Sequence, residues 1–181
     1  MLLTREPGGT VIGNRIREIL LLPEHKEMSP LTELLLYNAA RAQHLAQMIV
    51  PAVLEGQIVV TDRFTDSTVA YQGYARGLDM SLVSSLDAIA TCGARPDLTL
   101  LLDLDVETGL RRNRGVHKVD RFELEDVAFH EKVREGFLRI AENEPGRIKL
   151  VNASVPAGDV SARVWDVVKR FLAMTREKNG A

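Results

Sequence analysis

The stretch Gln57–Gly77, QIVVTDRFTDSTVAYQGYARG, decides how the rest of the chain is read. It opens on a β-branched run, Ile58-Val59-Val60-Thr61, that reads as a short buried strand. Asp62 and Arg63 follow at the strand's carboxyl end, and then Ser67, Thr68, Tyr71 and Gln72, a dense set of hydrogen-bonding side chains. In parallel α/β sheets, ligands gather beyond the carboxyl ends of the strands. An aspartate there suits a magnesium-associated carboxylate, and the arginine beside it can grip a phosphate through two hydrogen bonds.

Outward from this stretch, short apolar strands alternate with amphipathic helices. Leu2-Leu3-Thr4, Leu98–Leu104 and Arg147–Val151 read as the other strands. Helices are expected over Val11–Leu22, with Ile12, Ile16, Ile19 and Leu20 on one face, and over Ser29–Leu54, which starts on an N-cap serine and a proline. Ser81–Cys92, Val106–Arg114, Asp126–Asn143 and Ala157–Arg176 complete the set, the last turning Val160, Val164, Val167, Val168 and Phe171 inward. Trp165 is expected in the core, and Cys92 as a small packed apolar group. Strands alternating with helices imply one α/β domain over residues 1–181 with a parallel sheet and right-handed crossovers.

Composition narrows the function. Of 181 residues, 45% are hydrophobic and 27% charged, the balance of a globule with a core and not of a disordered chain. A net charge of −2 argues against a basic nucleic-acid surface. No apolar run approaches the ~20 residues of a membrane span. The single cysteine, Cys92, excludes an internal disulfide and a thiolate zinc cage, so a cytoplasmic setting is expected.

Three more segments carry chemistry. Thr4–Thr10, TREPGGT, follows the first strand, and its two glycines let backbone approach a ligand closely. Tyr37 and Arg41 stand four apart on one helix face, where a ring and a guanidinium can stack on a flat base and bond its edge. Arg111–Arg121 holds four arginines, Lys118 and His117, a basic flap suited to polyphosphate.

Taken in order, TREPGGT (residues 4–10), ELLLYNAARAQHL (33–45), DRFTDSTVAYQGYARG (62–77), RPDLTLLLD (95–103) and the arginine-rich segment ending in DRFE (120–123) resemble the thymidylate kinase family of bacterial type over essentially the whole chain. The resemblance implies a three-layer P-loop NTPase fold of the nucleoside monophosphate kinase kind, and transfer of the ATP γ-phosphoryl group to dTMP with Mg²⁺. It implies that Tyr37, where most members carry phenylalanine, stacks on thymine, that Arg41 bonds its O4 edge, and that Thr68 and Gln72 complete recognition of the base. Tyr71 is expected against the sugar, disfavouring a 2′-hydroxyl, while Arg63 and Arg17 hold the dTMP phosphate. Glu6 and Asp62 are expected near the magnesium and the reacting phosphates, and Arg112, Arg114 and Arg121 on a lid over about residues 111–123 that reaches the ATP phosphates. Arg63, Asp62, Glu6 and Arg114 are the expected catalytic set. A homodimer through the helices Pro30–Leu54 and Ser81–Cys92 is also implied, with no nucleic-acid or membrane partner.

One departure stands out. The family opens with a strand, a G-x-x-x-x-G-K-[ST] phosphate loop and a helix, and no such sequence occurs in this chain. The expectation is that a strand–loop–helix unit of roughly 30 residues, including the central strand, is missing from the front. A start codon placed inside a longer gene is the expected cause, with an active kinase as the true product. The alternatives are a truncated dTMP-binding remnant and a kinase for another pyrimidine monophosphate.

Overall fold

The computed structural model describes residues 1–113 and 120–179. Four short strands are found among them: β1 (Leu2–Thr4), β2 (Val59–Thr61), β3 (Thr99–Asp103) and β4 (Ile148–Asn152). β1 pairs in parallel with β2, Leu3 opposite Val60 and Thr4 opposite Thr61. β3 pairs in parallel with β4, Asp103 opposite Asn152. Both pairs are parallel, as expected, and the two pairs are not hydrogen-bonded to each other. The strands are also less covered than their apolar runs imply, and the register partners Leu3 and Val60 are both exposed.

Helices connect and cover the strands: α1 (Val11–Leu21), α2 (Pro30–His44), α3 (Val50–Leu54), α4 (Thr65–Thr68), α5 (Met80–Thr91), α6 (Val106–Asn113), α7 (Val127–Asn143) and α8 (Ala157–Asn179). Their starts follow local chemistry. Thr10 accepts from the Gly13 amide, Ser29 from Thr32 ahead of Pro30, Asp79 from Ser81 and Leu82, and Asp126 from Phe129. The helix expected over residues 29–54 is interrupted: Leu45–Ile49 is π-helical, with the Val50 amide bonded to the Leu45 carbonyl. Pro51 has no N–H for the helical ladder, which accounts for the change of winding beside it. A second π-helical segment, Val69–Ala75, extends α4 through the polar stretch.

The core lies where α7 crosses that second segment. Ala70, Phe122, Phe129, Val133, Ile140 and Ile148 form the buried cluster, with Leu21, Tyr37, Val69 and Tyr71 packed on it. The approach is so close that a Cβ on Gly136 would lie 3.0 Å from Ala70 Cα, which a side chain there cannot relieve. Trp165, expected inside, is 57% exposed on α8. Cys92 is exposed too, at the αL cap of α5 (φ 50°), because the helix ends one residue earlier than expected and turns the thiol outward. Ile12 and Ile19 on α1 are likewise exposed, while Leu20 is fully buried. Among the described residues no helix is long and apolar enough to cross a membrane.

A clasp joins the β3–β4 pair to α4. Arg147, at the entry to β4, donates Nη1 and Nη2 to Asp66 on α4 at 2.8 and 2.7 Å. Nη1 also reaches Thr99 Oγ1 at 2.8 Å, and Nε reaches Glu144 at 3.0 Å. Breaking a largely buried pair strands the remaining charge. Arg147→Met is therefore expected to lower unfolding free energy by about 3 kcal/mol, read as a lower urea midpoint at constant m-value. An unchanged midpoint would remove the clasp from the stability of the fold.

Candidate active site

β1 and β2 run in register, so their carboxyl ends present two loops side by side. The loops meet through a hydrogen bond: the Glu6 amide donates to Asp62 Oδ1 at 2.9 Å. The first loop turns on a cis Glu6–Pro7 peptide and on Gly8 and Gly9, both at positive φ (135° and 80°). Space matters as much as φ at Gly9, where a Cβ would sit 2.6 Å from His44 Cδ2. His44 is fully buried beneath the loop, Nδ1 against Glu6 Oε1 (3.1 Å) and Nε2 against Thr4 Oγ1 (2.6 Å).

Arg41 rises from α2 into the same place and is buried. Its Nε donates to Glu6 Oε2 at 2.9 Å, and Nη1 to Thr68 Oγ1 and Asp87 Oδ1, each at 2.8 Å. None of the described hydrogen bonds uses Nη2. One guanidinium facing two carboxylates out of water leaves an excess negative charge. Burial pushes the Asp87 carboxyl up to about 6, with Glu6 and Asp66 adding to the rise and Arg41 opposing it.

Beside this network stands an aromatic wall. Tyr37 lies 6.3 Å from Phe122 between ring centroids, and Tyr71 meets Phe122 edge-on at 5.6 Å. Burial drives the Tyr37 phenol well above its ordinary pKa, so it stays neutral at physiological pH. Arg63 is exposed, with its guanidinium carbon 5.2 Å from the Tyr71 ring centroid and Nη1 3.5 Å from Ser67 Oγ. Arg17 donates Nη1 to the Pro7 carbonyl at 3.0 Å, which sets it at the lip of the first loop.

The sequence model of the thymidylate kinase family matches residues 1–164. The chain belongs to the thymidylate kinase family. It is 50% identical over 180 residues to a thymidylate kinase of Desulfosudis oleivorans, an alignment covering 96% of this chain and 84% of that protein. A Pseudomonas fluorescens thymidylate kinase is 48% identical over 176 residues, covering 97% of this chain and 84% of its own. The crystal structure of thymidylate kinase from Ehrlichia chaffeensis superposes with a TM-score of 0.75 at 32% identity, covering 92% of this chain and 80% of that one. The fold is thus the α/β nucleotide kinase fold of this family, with parallel strands.

Within the thymidylate kinase frame, the structure brings Tyr37, Arg41, Thr68, Tyr71, Arg63, Glu6 and Asp62 to one place, with Arg17 at its edge. Other expected residues are differently employed. Gln72 donates Nε2 to Glu33 at 2.7 Å, away from a base-reading role for that nitrogen. Glu6 has both carboxylate oxygens engaged, by Arg41 and His44. Arg112 bonds the carbonyls of Ala153 and Ser154 at 2.8 and 3.4 Å, on the β4 side. Arg121, expected on a donor-facing lid, is buried against Glu33, a buried carboxylate that draws guanidinium groups inward. Arg114 lies outside the described residues.

Sequence reasoning missed Glu33, His44, Asp87 and Phe122. The one available signal was a glutamate four residues before Tyr37, on a face that must be apolar to pack. Asp87 generates a test of linkage. Its folded pKa is raised, so its stabilising share is full below the ordinary carboxylate range and is lost as pH rises through about 6. Asp87→Asn should therefore lose less stability than the parent between pH 5 and pH 7 in urea unfolding. Equal losses in the two proteins would remove Asp87 as the titrating group.

Proposed function

We infer that this chain transfers the γ-phosphoryl group of ATP to the phosphate of dTMP, giving dTDP and ADP. The observation that carries the reading is the set Tyr37, Arg41, Thr68, Tyr71 and Arg63, assembled beyond the carboxyl ends of β1 and β2. The Tyr37 ring offers a flat apolar face to thymine. Arg41 Nη2 offers a donor for a base carbonyl, and its other edge is locked by Glu6, Thr68 and Asp87. Tyr71 stands where a sugar would rest, with Arg63 beside it for the acceptor phosphate. Arg17, tethered to Pro7, supplies a second cation to that phosphate.

Phosphoryl transfer of this kind needs positioning and charge stabilisation and no covalent enzyme intermediate. The acceptor phosphate oxygen attacks the γ-phosphorus, and the bond to the β-phosphate oxygen breaks. Arg63 and Arg17 hold the attacking phosphate in place and offset the repulsion between two anionic groups.

For Mg²⁺, the residues present fit a minimal role. Among the described residues no three acidic, histidine or cysteine side chains gather to form a metal cage. Asp62 is exposed and commits Oδ1 to the Glu6 amide, so its other oxygen would hold the ion, directly or through water, beside the nucleotide phosphates. Bound there, Mg²⁺ supplies neutralisation of the charge that develops between the β- and γ-phosphates.

The donor side is proposed to need a strand, phosphate loop and helix that the described residues do not supply. Among the described residues each strand pairs on one edge only, and Leu3 and Val60 leave an apolar sheet face bare. A strand between the two pairs would satisfy an edge of each, and its helix would cover that face. A second copy of the chain is the proposed partner. Leu31 and Leu35 on α2 and Ile89 on α5 are exposed apolar side chains on the helices expected to make that contact.

A coupled ADP-release assay with dTMP, dUMP and UMP tests the reaction, with dTMP expected as the preferred acceptor. No dTMP-dependent turnover would sink it. Tyr37→Ala is expected to weaken dTMP binding by ~1–3 kcal/mol, the range for base stacking on an aromatic ring. Calorimetry that finds the same dissociation constant removes Tyr37 from the site.

A further inference from the structure

Glu33 is fully buried in the first turn of α2, and three donor side chains from two separate segments converge on it. Gln72 Nε2 reaches Oε1 at 2.7 Å, and Arg76 reaches both oxygens, Nε at 3.3 Å and Nη2 at 3.2 Å. Arg121 Nη2 closes the set on Oε2. Arg76 is balanced in turn by Glu125 at 2.6 Å, so two guanidinium groups face two carboxylates.

Arg121 does more than neutralise Glu33. Its backbone amide donates to the Leu21 carbonyl and its Nε to the Leu20 carbonyl, each at 3.1 Å. Those are carbonyls of the last turn of α1, which have no partner within their own helix. The cation at that end also matches the negative pole of the helix. The guanidinium carbon lies 4.8 Å from the centroid of the adjacent Phe122 ring, and Phe122 is the side chain on which both Tyr37 and Tyr71 pack. One residue thus ties together α1, which bears Arg17, α2, which bears Tyr37 and Arg41, and the π-helical segment, which bears Tyr71.

We propose that Arg121, anchored by Glu33, is a positioning residue for the acceptor nucleotide and not a ligand for the donor phosphates. It sets the spacing between the Tyr37 and Tyr71 rings by fixing Phe122 and holds the end of α1 against α2. The proposal rests on the acceptor-pocket reading above, which assigns those rings to the nucleoside.

The test measures dTMP dissociation constants by calorimetry on protein verified as folded, alongside urea unfolding, for the parent chain, Arg121→Ala, Arg121→Lys, Glu33→Gln and Tyr37→Ala. Arg121→Ala is expected to weaken dTMP about tenfold or more, the scale of one lost charge-assisted hydrogen bond. Arg121→Lys keeps the charge and one bond, and is expected within about threefold of the parent, since a single ammonium can still reach Glu33. Glu33→Gln should fall between the two. If Arg121→Ala does not fold, the ranking of Arg121→Lys and Glu33→Gln carries the test. An unchanged dTMP constant in the folded Arg121 and Glu33 variants, with stability alone lowered, would overturn the proposal. An unchanged constant in Tyr37→Ala would instead overturn the pocket reading.

Discussion

A guanidinium taken out of water has to be met on its N–H groups by acceptors held in place, or the fold loses several kcal/mol. Arg41 is such a group, and its acceptors come from the loop after β1, from α4 and from α5. To satisfy Arg41, Glu6 must turn inward, which His44 enforces from below and the Gly9 backbone permits from above. The inward turn of Glu6 in turn fixes the backbone amide that meets Asp62. One buried cation therefore determines how two strand-end loops and two helices stand relative to each other. The exposed residues of the pocket, Arg63 and Asp62, inherit their places from it.

The same device recurs. Glu33 gathers Gln72, Arg76 and Arg121, and Asp66 gathers Arg147 and Thr99. In a protein whose two strand pairs do not bond each other, these charged clusters run between segments that the sheets leave separate. Apolar packing supplies the bulk attraction through the contact of α7 with the second π-helical segment. The ionic clusters add direction, because a fork-shaped guanidinium accepts few geometries. The consequence for function is that the acceptor pocket is framed by groups whose first duty is to one another. Gln72 and Glu6 both turn their polar atoms toward protein partners where a ligand was expected.

Much of the fold was legible in the order of residues. The four strands and the capped start of α2 follow from local patterns of apolar spacing and from Ser29 ahead of Pro30. Helix spacing put Tyr37 and Arg41 on one face and the strand-end rule drew attention to Arg63, Thr68 and Tyr71, while their place in one pocket was implied by the family resemblance. Trp165 and Cys92 were misplaced because size and polarity say how a side chain would gain from burial, not whether a partner surface exists to bury it.

The chain's own order of residues determined the four strands, most of the helices, the family and the segments that carry chemistry, while the π-helical break after His44 and the helical turn over residues 65–75 came only with the structure. The former depend on backbone propensities and on periodicities of two and 3.6, which are properties of neighbours in sequence. Tertiary structure alone decided that Glu33 is a buried hub, that Arg121 faces inward, and that Asp87 holds its proton to about pH 6. Glu33 and Arg121 are separated by 88 positions, and Arg41 and Asp87 by 46. Electrostatic pairing and desolvation depend on distance in space and on access to water, and neither is written in the spacing of residues along the chain.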